Sequence, residues 1–380
     1  MGVTKATAWE RFHGVCVHNV GVPTSWPAAQ VLRIAQANPS WFDGRTAVAA
    51  PTRLGTGESY DAWLVEASDS ARSGGLDGSR AGVRVVLRLA RRPLGELPAD
   101  PLEELAALRL APPGVGPRAL GLAVIFEDGS PAEQDDASPR YPVMAEAFVP
   151  GEVLSAERWT GAMRRRLAGR LAALHTRSFA APGSARDAEA GALAASGRLD
   201  FPGEIAGIVD YWNGRLVGPA RDEWAPLIAP MMAYAERLAP EFIAVQEFSL
   251  IHGDPVLTNI LVNREEPHLV DWEWARIGDP ARDLGFLGGA VHAQPWYAPL
   301  DDREITDFLR AYVEAGGRGE VAQLRVRRDA WLAAEGFAVL AYLLWVETDR
   351  AGGLSPANRR TLAGLRATLP AYLRRAPGVD

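Results

Sequence analysis

The sequence predicts an α+β protein in two parts: an antiparallel sheet with one helix over residues 47–150, then a larger, mostly helical region over 151–380. Three patterns carry that expectation. Short segments rich in β-branched and aromatic residues, separated by turn-forming stretches, fill the first part. Apolar residues at helical spacing dominate the second. Residues 249–275 break the helical pattern: two brief apolar runs flank the turn Asn-Arg-Glu-Glu-Pro, which reads as a hairpin.

Residues 1–46 form an N-terminal extension to which the sequence assigns no role. Its one amphipathic stretch, SWPAAQVLRIAQA (25–37), has Ser25 or Thr24 as a candidate cap. Five strand candidates follow: AVAAPTRLG (47–55), DAWLVEA (61–67), GVRVVLRLA (82–90), ALGLAVIFE (119–127) and YPVMAEAF (141–148). The Gly-, Ser- and Asp-rich stretches 68–82 and 127–140 read as hairpin tips. DPLEELAALRLA (100–111) is the helix of this part. Asp100 is its cap, and Pro101 sits at the first helical position, where a missing N–H costs nothing. Beyond VPGEVL (149–154), helical spacing covers 156–179, 225–245, 303–316, 326–350 and 356–375, with no internal repeat.

Composition excludes several functions. A chain of 380 residues with 48% apolar content can bury a sizeable core. The net charge of −7 argues against a nucleic-acid partner, which needs a basic face for the phosphates. The longest apolar run, near 336–346, is too short to span a bilayer, so no membrane partner is expected. The N-terminus lacks the apolar core of a signal peptide, and Ala6 stands where a myristoylation motif wants Ser or Thr. A cytoplasmic location and a monomer or homodimer are therefore expected. The single cysteine, Cys16, cannot form an internal disulfide. With His13 and His18 it invites a zinc reading that no partner motif supports. Lys5 is the only lysine among 40 Lys and Arg residues. That removes a P-loop, which needs its lysine on the phosphates, and leaves no good Schiff-base lysine for pyridoxal chemistry. No G-x-S-x-G elbow is present.

The chemistry concentrates in HGDPVLTN (252–259) and in HLVDWEWA (268–275). Phosphoryl transfer needs a carboxylate to orient the attacking hydroxyl, hard oxygen ligands for Mg²⁺, and a glycine-rich backbone with a cation over the nucleotide phosphates. Asp254 fits the first role; Asn259 and Asp271 fit the second. A tight loop can present Asp254 and Asn259 on one side, and the hairpin can return Asp271 beside Asn259. The competing reading is a solvated hairpin using Gly, Asp and Asn as turn formers.

HGDPVLTN followed by LVDWEWARIGDPARDLG (269–285) resembles the catalytic segment of the aminoglycoside phosphotransferase and choline kinase family, which has a bilobal protein-kinase-like fold. The resemblance runs over most of residues 47–290 in the family's order. It implies a nucleotide loop in LGTGESYDAWLV (54–65), with Gly55, Gly57 and Ser59 near the phosphates, although Tyr60 stands where the family often has Asn. Arg88 in VVLRLA is similar to the family's phosphate-binding Lys or Arg, and Glu104 to the acid that pairs with it. PVMAEAFVPG (142–151) is similar to the adenine-reading hinge, leaving Met144, Glu146 and Ala147 as alternatives for the base. LAALH (171–175) is similar to the helix before the catalytic loop. His252 opens that loop, Glu273 is a candidate for a supporting or second-metal role, and Asp283 is a candidate brace.

The resemblance implies an ATP- or GTP-dependent, Mg²⁺-requiring kinase of a small hydroxylated molecule. An aminoglycoside-type or other antibiotic is the first expectation, supported by the acidic chain and by Asp210, Trp212, Trp296, Trp331, Glu335 and Trp345 in the helical part. Choline or an amino sugar is the alternative. A protein kinase would need a long segment between Asp271 and GDPARDLG, where only a few residues lie. A non-catalytic nucleotide-binding protein would not need the three chemical residues together.

Overall fold

The computed structural model describes residues 25–47, 50–57, 59–68, 82–131, 138–288, 296–349 and 353–374. His13, Cys16 and His18, Lys5, Thr24 and most of the two expected hairpin tips lie outside these. The described chain forms two compact units: residues 25–109 with 117–149, and residues 110–116 with 150–374.

The first unit holds α1 (Ala28–Ala37), β1 (Thr46–Ala47), β2 (Thr52–Thr56), β3 (Tyr60–Ser68), β4 (Val83–Ala90), α2 (Pro101–Leu110), β5 (Ala119–Ile125) and β6 (Tyr141–Ala147). The strands form one antiparallel sheet in the order β1-β3-β4-β6-β5, with β2 also paired to β3. Side chains alternate across it. Trp63, Val65, Val85, Leu87, Leu89, Tyr141, Val143 and Ala145 face one way. They form a core with Val31 and Ile34 of α1, and with Trp26, Trp41 and Phe42 beside it. The extension to which the sequence assigned no role thus supplies the apolar cover for that face. Its helix is capped at Pro27, whose carbonyl accepts the Gln30 and Val31 N–H groups, and not by Ser25. The Trp26 indole donates to the Ala90 carbonyl at 2.8 Å, tying the segment to the end of β4. α2 begins where the sequence places it: Asp100 accepts from the Leu102 N–H at 2.9 Å, and Pro101 is the first helical residue.

The second unit contains β7 (Glu152–Val153), α3 (Gly161–Leu174), α4 (Ala185–Glu189), α5 (Phe201–Asn213), α6 (Gly218–Trp224), α7 (Ile228–Ile243), β8 (Ser249–Ile251), β9 (Ile260–Asn263), β10 (Glu266–Leu269), β11 (Arg276–Gly278), α8 (Pro280–Gly285), α9 (Asp302–Glu314), α10 (Val321–Asp349) and α11 (Pro356–Tyr372). Helical spacing in the sequence had not singled out α4, α5 or α6. The aromatic core explains why α5 and α6 form: Phe201 of α5 stacks on Phe242 of α7 at 4.2 Å, with Trp331 of α10 edge-on to both, while Trp224 of α6 stacks on Phe337. Tertiary burial sets these helices where local periodicity is weak. α10 is long and apolar enough to cross a membrane by composition, but 83% of its apolar window is buried inside the protein, as in a core helix.

Two small sheets sit among these helices, β10-β9-β7 and β11-β8. The β9–β10 turn has Arg264 and Glu265 both at positive φ, 48° and 70°, the geometry that matches the twist of a two-residue hairpin.

Phe42 is fully buried under the first unit's sheet. Phe42→Ala should lower stability by about 3–5 kcal/mol, the usual cost of emptying a buried phenylalanine site, measured by denaturant unfolding. A loss below 1 kcal/mol would show that the extension only decorates the sheet.

Candidate active site

In the first unit, strand alternation brings the candidate phosphate-binding residues to the sheet face opposite the α1 core. Ala62, Arg88 and Met144 are cross-strand neighbours on β3, β4 and β6, so Tyr60 and Glu146 lie on the same face, two residues along. The Arg88 guanidinium pairs with Glu104 of α2 through Nη1, and the same nitrogen lies 3.3 Å from Glu146 Oε1. All three side chains are buried. Tyr60 presents its ring to the Arg88 guanidinium at 4.7 Å. The glycine loop closes through Gly57, whose N–H donates to the Tyr60 carbonyl at 2.8 Å. Arg91 adds two contacts, its N–H to the Ser59 carbonyl at 2.9 Å and its Nη1 to the Gly57 carbonyl at 2.7 Å. Gly55 lies in β2, where the register with β3 shifts. Of the three hinge alternatives, Met144 is buried beneath the face, Glu146 turns its carboxylate to Arg88, and Ala147 donates its N–H to the Arg118 carbonyl at 2.9 Å.

In the second unit, β8 delivers the chain to His252. His252 and Gly253 donate their N–H groups to the two carboxylate oxygens of Asp283 in α8, at 2.7 and 2.9 Å. Gly253 has φ +84°, and a Cβ there would collide with the Trp274 carbonyl, so only glycine fits. Asp283 also meets His175 Nε2 at 3.2 Å, and His175 Nδ1 meets the Tyr312 hydroxyl at 3.0 Å. Burial alone would raise the Asp283 pKa. The hydrogen bond and charge of His175, with the contacts from His252, outweigh it and hold the carboxyl below its ordinary value. His252 is fully buried, and burial lowers its pKa despite Asp283 and Asp271. The neutral ring explains its contacts: Nε2–H donates to the Val270 carbonyl at 3.1 Å, and Nδ1 accepts from the Asp254 N–H at 3.4 Å.

Asp254 and Asn259 are brought together by the short helical turn Leu257–Asn259. Asn259 Nδ2 donates to the Asp254 carbonyl at 3.0 Å and to Asp254 Oδ2 at 2.9 Å. With the amide nitrogen so engaged, Oδ1 is the end of the side chain left to face a cation. The β9–β10 hairpin then returns the chain: the Val270 N–H donates to the Asn259 carbonyl at 2.9 Å, so Asp271 follows beside Asn259. Asp271 has φ +66°, uncommon for a residue with a side chain and a sign of local constraint. Trp272 packs edge-on to His252 at 4.9 Å, and Glu273 Oε2 is buried. Among the described residues no three His, Cys, Asp or Glu side chains gather for a metal. An amide and one carboxylate suit Mg²⁺, which keeps waters and completes its octahedron with phosphate oxygens.

Burial, then Glu335 and then Asp271, push the Asp254 carboxyl up to about 8, against the Asn259 hydrogen bond and Arg282. Positive charge added beside it would lower that value. Glu335 of α10, Arg282 of α8 and Tyr297 thus form the electrostatic surroundings of Asp254. Sequence reasoning missed Arg282 and Tyr297 and named Glu335 only as one acid of the helical part. No local spacing links Arg282, Tyr297 or Glu335 to the HGD loop, so no short-range signal tied them to Asp254.

Residues 52–324 match the profile of a phosphotransferase enzyme family. No curated protein matches the sequence. Among solved structures, the chain is similar to a choline/ethanolamine kinase family protein from Mesorhizobium loti, with 19% identity and a TM-score of 0.57 over 92% of this chain and 96% of that one. It is similar to a thermostable mutant of the aminoglycoside phosphotransferase APH(4)-Ia in ternary complex with AMP-PNP and hygromycin B, with 16% identity and a TM-score of 0.52 over 86% and 94%. It is also similar to an amicoumacin kinase in complex with AMP-PNP, Ca²⁺ and Ami, with 11% identity and a TM-score of 0.54 over 87% and 90%. At these identities the likeness is one of fold, a kinase-like fold with an antiparallel sheet and a helical part.

Because the folded-state pKa of Asp283 is depressed, its charge contributes stability above the ordinary carboxylate value of 3.8, lost as pH falls through the lowered value. Asp283→Asn should cost about 1–3 kcal/mol at neutral pH, the scale for leaving a buried hydrogen-bonding partner unsatisfied. The gap to wild type should shrink below pH 3.8. Denaturant unfolding from pH 7 to 3 measures it, and a gap independent of pH would remove the charge from the explanation.

Proposed function

The chain belongs to the phosphotransferase enzyme family, and from that premise we propose that it uses ATP or GTP to phosphorylate a hydroxyl of a small molecule by direct in-line transfer. The observation that carries this reading is the Asp254–Asn259–Asp271 group. A carboxylate, an amide and a second carboxylate are drawn together by Asn259's bonds to Asp254 and by the hairpin's return at Val270. A solvated turn would not need a buried aspartate, Asp283, clamping the preceding backbone.

In this reading Asp254 aligns the acceptor hydroxyl with the γ-phosphorus and takes its proton. In a loose transition state the proton leaves late, so orientation is the larger contribution. Asn259 Oδ1 and Asp271 would hold Mg²⁺, which when bound neutralises charge on the phosphate oxygens. Glu273 supports that pair. Arg88, held by Glu104, binds the α- and β-phosphates, since a guanidinium matches phosphate oxygens and stays charged. Gly55, Gly57 and Ser59 line the phosphate loop, and the Met144–Ala147 segment faces the base. The short route from Asp271 through β11 to α8 supports a small acceptor, because it leaves no segment to seat a peptide.

For the acceptor, a hydroxylated antibiotic is the first choice. The aminoglycoside phosphotransferase and the amicoumacin kinase of the same fold were solved with hygromycin B and with Ami. Choline or an amino sugar is the second choice, from the likeness to the choline/ethanolamine kinase family protein.

ADP or GDP release from the purified protein with Mg²⁺ and ATP or GTP, across a panel of hydroxylated antibiotics and primary metabolites, tests the reading. An acceptor-dependent rate is expected from the antibiotics, and a rate only from choline or amino sugars would favour the second choice. Asp254→Asn keeps the shape and removes the charge. It should lower kcat by about 10²-fold or more with little change in either KM. A wild-type rate in that variant would reduce the HGD segment to a structural turn.

A further inference from the structure

We infer that a cleft in the helical unit, formed by the end of α7, the start of α8 and the start of α10, is a binding site for a small zwitterion bearing a carboxylate and a protonated amine. No candidate active-site residue lines it. Its volume is about 230 Å³. Pockets for drug-sized ligands begin at roughly 300 Å³, so the occupant is a smaller molecule.

Arg327 supplies the anion-binding end. It lines the cleft and is 8% exposed. Its Nε donates to Asp279 Oδ2 at 2.9 Å. Both oxygens of Asp279 are engaged, since Oδ2 also takes the Trp331 indole at 3.1 Å and Oδ1 takes the Ala281 N–H at 3.1 Å. Arg327 Nη1 and Nη2 meet no acceptor among the described residues. A nearly buried guanidinium seldom leaves its donors unmet. Two adjacent nitrogens on a planar fork match the two oxygens of a carboxylate. The other arginine of the cleft is already occupied: Arg318 donates from Nη1 to Glu247 and from Nη2 to the Thr176 carbonyl, both at 2.7 Å.

Glu241 supplies the cation-binding end. It is half-buried in the last turn of α7 and makes no hydrogen bond or ion pair among the described residues. An acid at that end of a helix stands against the helix dipole, so a cation beside it is doubly favoured. With Asp279 paired to Arg327 and Glu247 to Arg318, the cleft keeps one unanswered carboxylate and one unanswered pair of guanidinium donors. A simple anion would add to the surplus negative charge, and a simple cation would leave the Arg327 donors unmet. A molecule with one charge of each sign answers both.

Titration calorimetry of the full chain tests the site. The probes are glycine, β-alanine and 4-aminobutanoate, which differ in the spacing of their charges, with acetate and methylammonium as single-charge controls. At least one zwitterion should bind about tenfold more tightly than either control. Arg327→Lys keeps a positive charge for Asp279 but loses the fork, and should weaken that binding roughly five- to tenfold. Glu241→Gln should bring the zwitterion down to the level of acetate, and it decides alone if Arg327→Lys fails to fold. Asp254→Asn should leave the affinity unchanged. No saturable binding of any zwitterion, acetate or methylammonium binding as well as the best one, or wild-type affinity in either folded cleft variant overturns the inference. A loss in Asp254→Asn assigns the ligand to the active site and overturns it too.

Discussion

A buried carboxylate with no water to solvate it must be surrounded by donors, and in the helical unit that requirement falls on Asp283. Its oxygens take the N–H groups of His252 and Gly253, and its side is closed by His175. The donors come from two segments far apart in sequence. His175 caps the end of α3, His252 and Gly253 follow β8, and Tyr312 of α9 reaches the other ring nitrogen of His175. The Ser249 hydroxyl adds a bond to the His175 carbonyl at 2.8 Å. One charge therefore sets the relation of α3, α8, α9 and β8, and removing any donor leaves it undersatisfied. The loop that carries Asp254 is stiff because its first two peptide groups are spent on that charge.

The stiffness passes on by short steps. Neutral His252 accepts from the Asp254 backbone and donates to Val270, whose own N–H reaches Asn259. The histidine thus joins the start of the loop that carries Asp254 to the end of the hairpin that returns Asp271. A similar buried acid anchors the next turn: Asp279 caps α8 through the Ala281 N–H and takes Arg327 Nε and the Trp331 indole from α10. Side chains placed by such networks hold their geometry at little further entropic cost, which phosphoryl transfer needs because positioning supplies most of its catalysis.

In the sheet unit the organising constraint is the twofold alternation of strands. Three adjacent strands in register put Tyr60, Arg88 and Glu146 on one face and give the other mainly to apolar contact with α1. A buried guanidinium is tolerable there because Glu104 and Glu146 meet its charge and Tyr60 meets its face.

Much of this was legible in the sequence, for identifiable reasons. Strands β3 to β6 announce themselves by β-branched and aromatic runs between turns, α2 by Asp100 and Pro101, and the hairpin by its two apolar runs, because these signals act between residues near in sequence. Asp254, Asn259 and Asp271 stand out for the same reason: one turn and one hairpin suffice to gather them. Other features depend on residues far apart in sequence. The cover that Phe42 and α1 give the sheet, the helices around Phe201 and Trp224, the charges of Arg282 and Glu335 about Asp254, and the Tyr60 ring against Arg88 arise from burial and register. Short-range patterns marked strands β3 to β6, α2, the hairpin and the candidate residues Asp254, Asn259 and Asp271. Only the tertiary structure decided which buried charge meets which donor, because that pairing is chosen by the cost of leaving a polar group unsatisfied once water is gone.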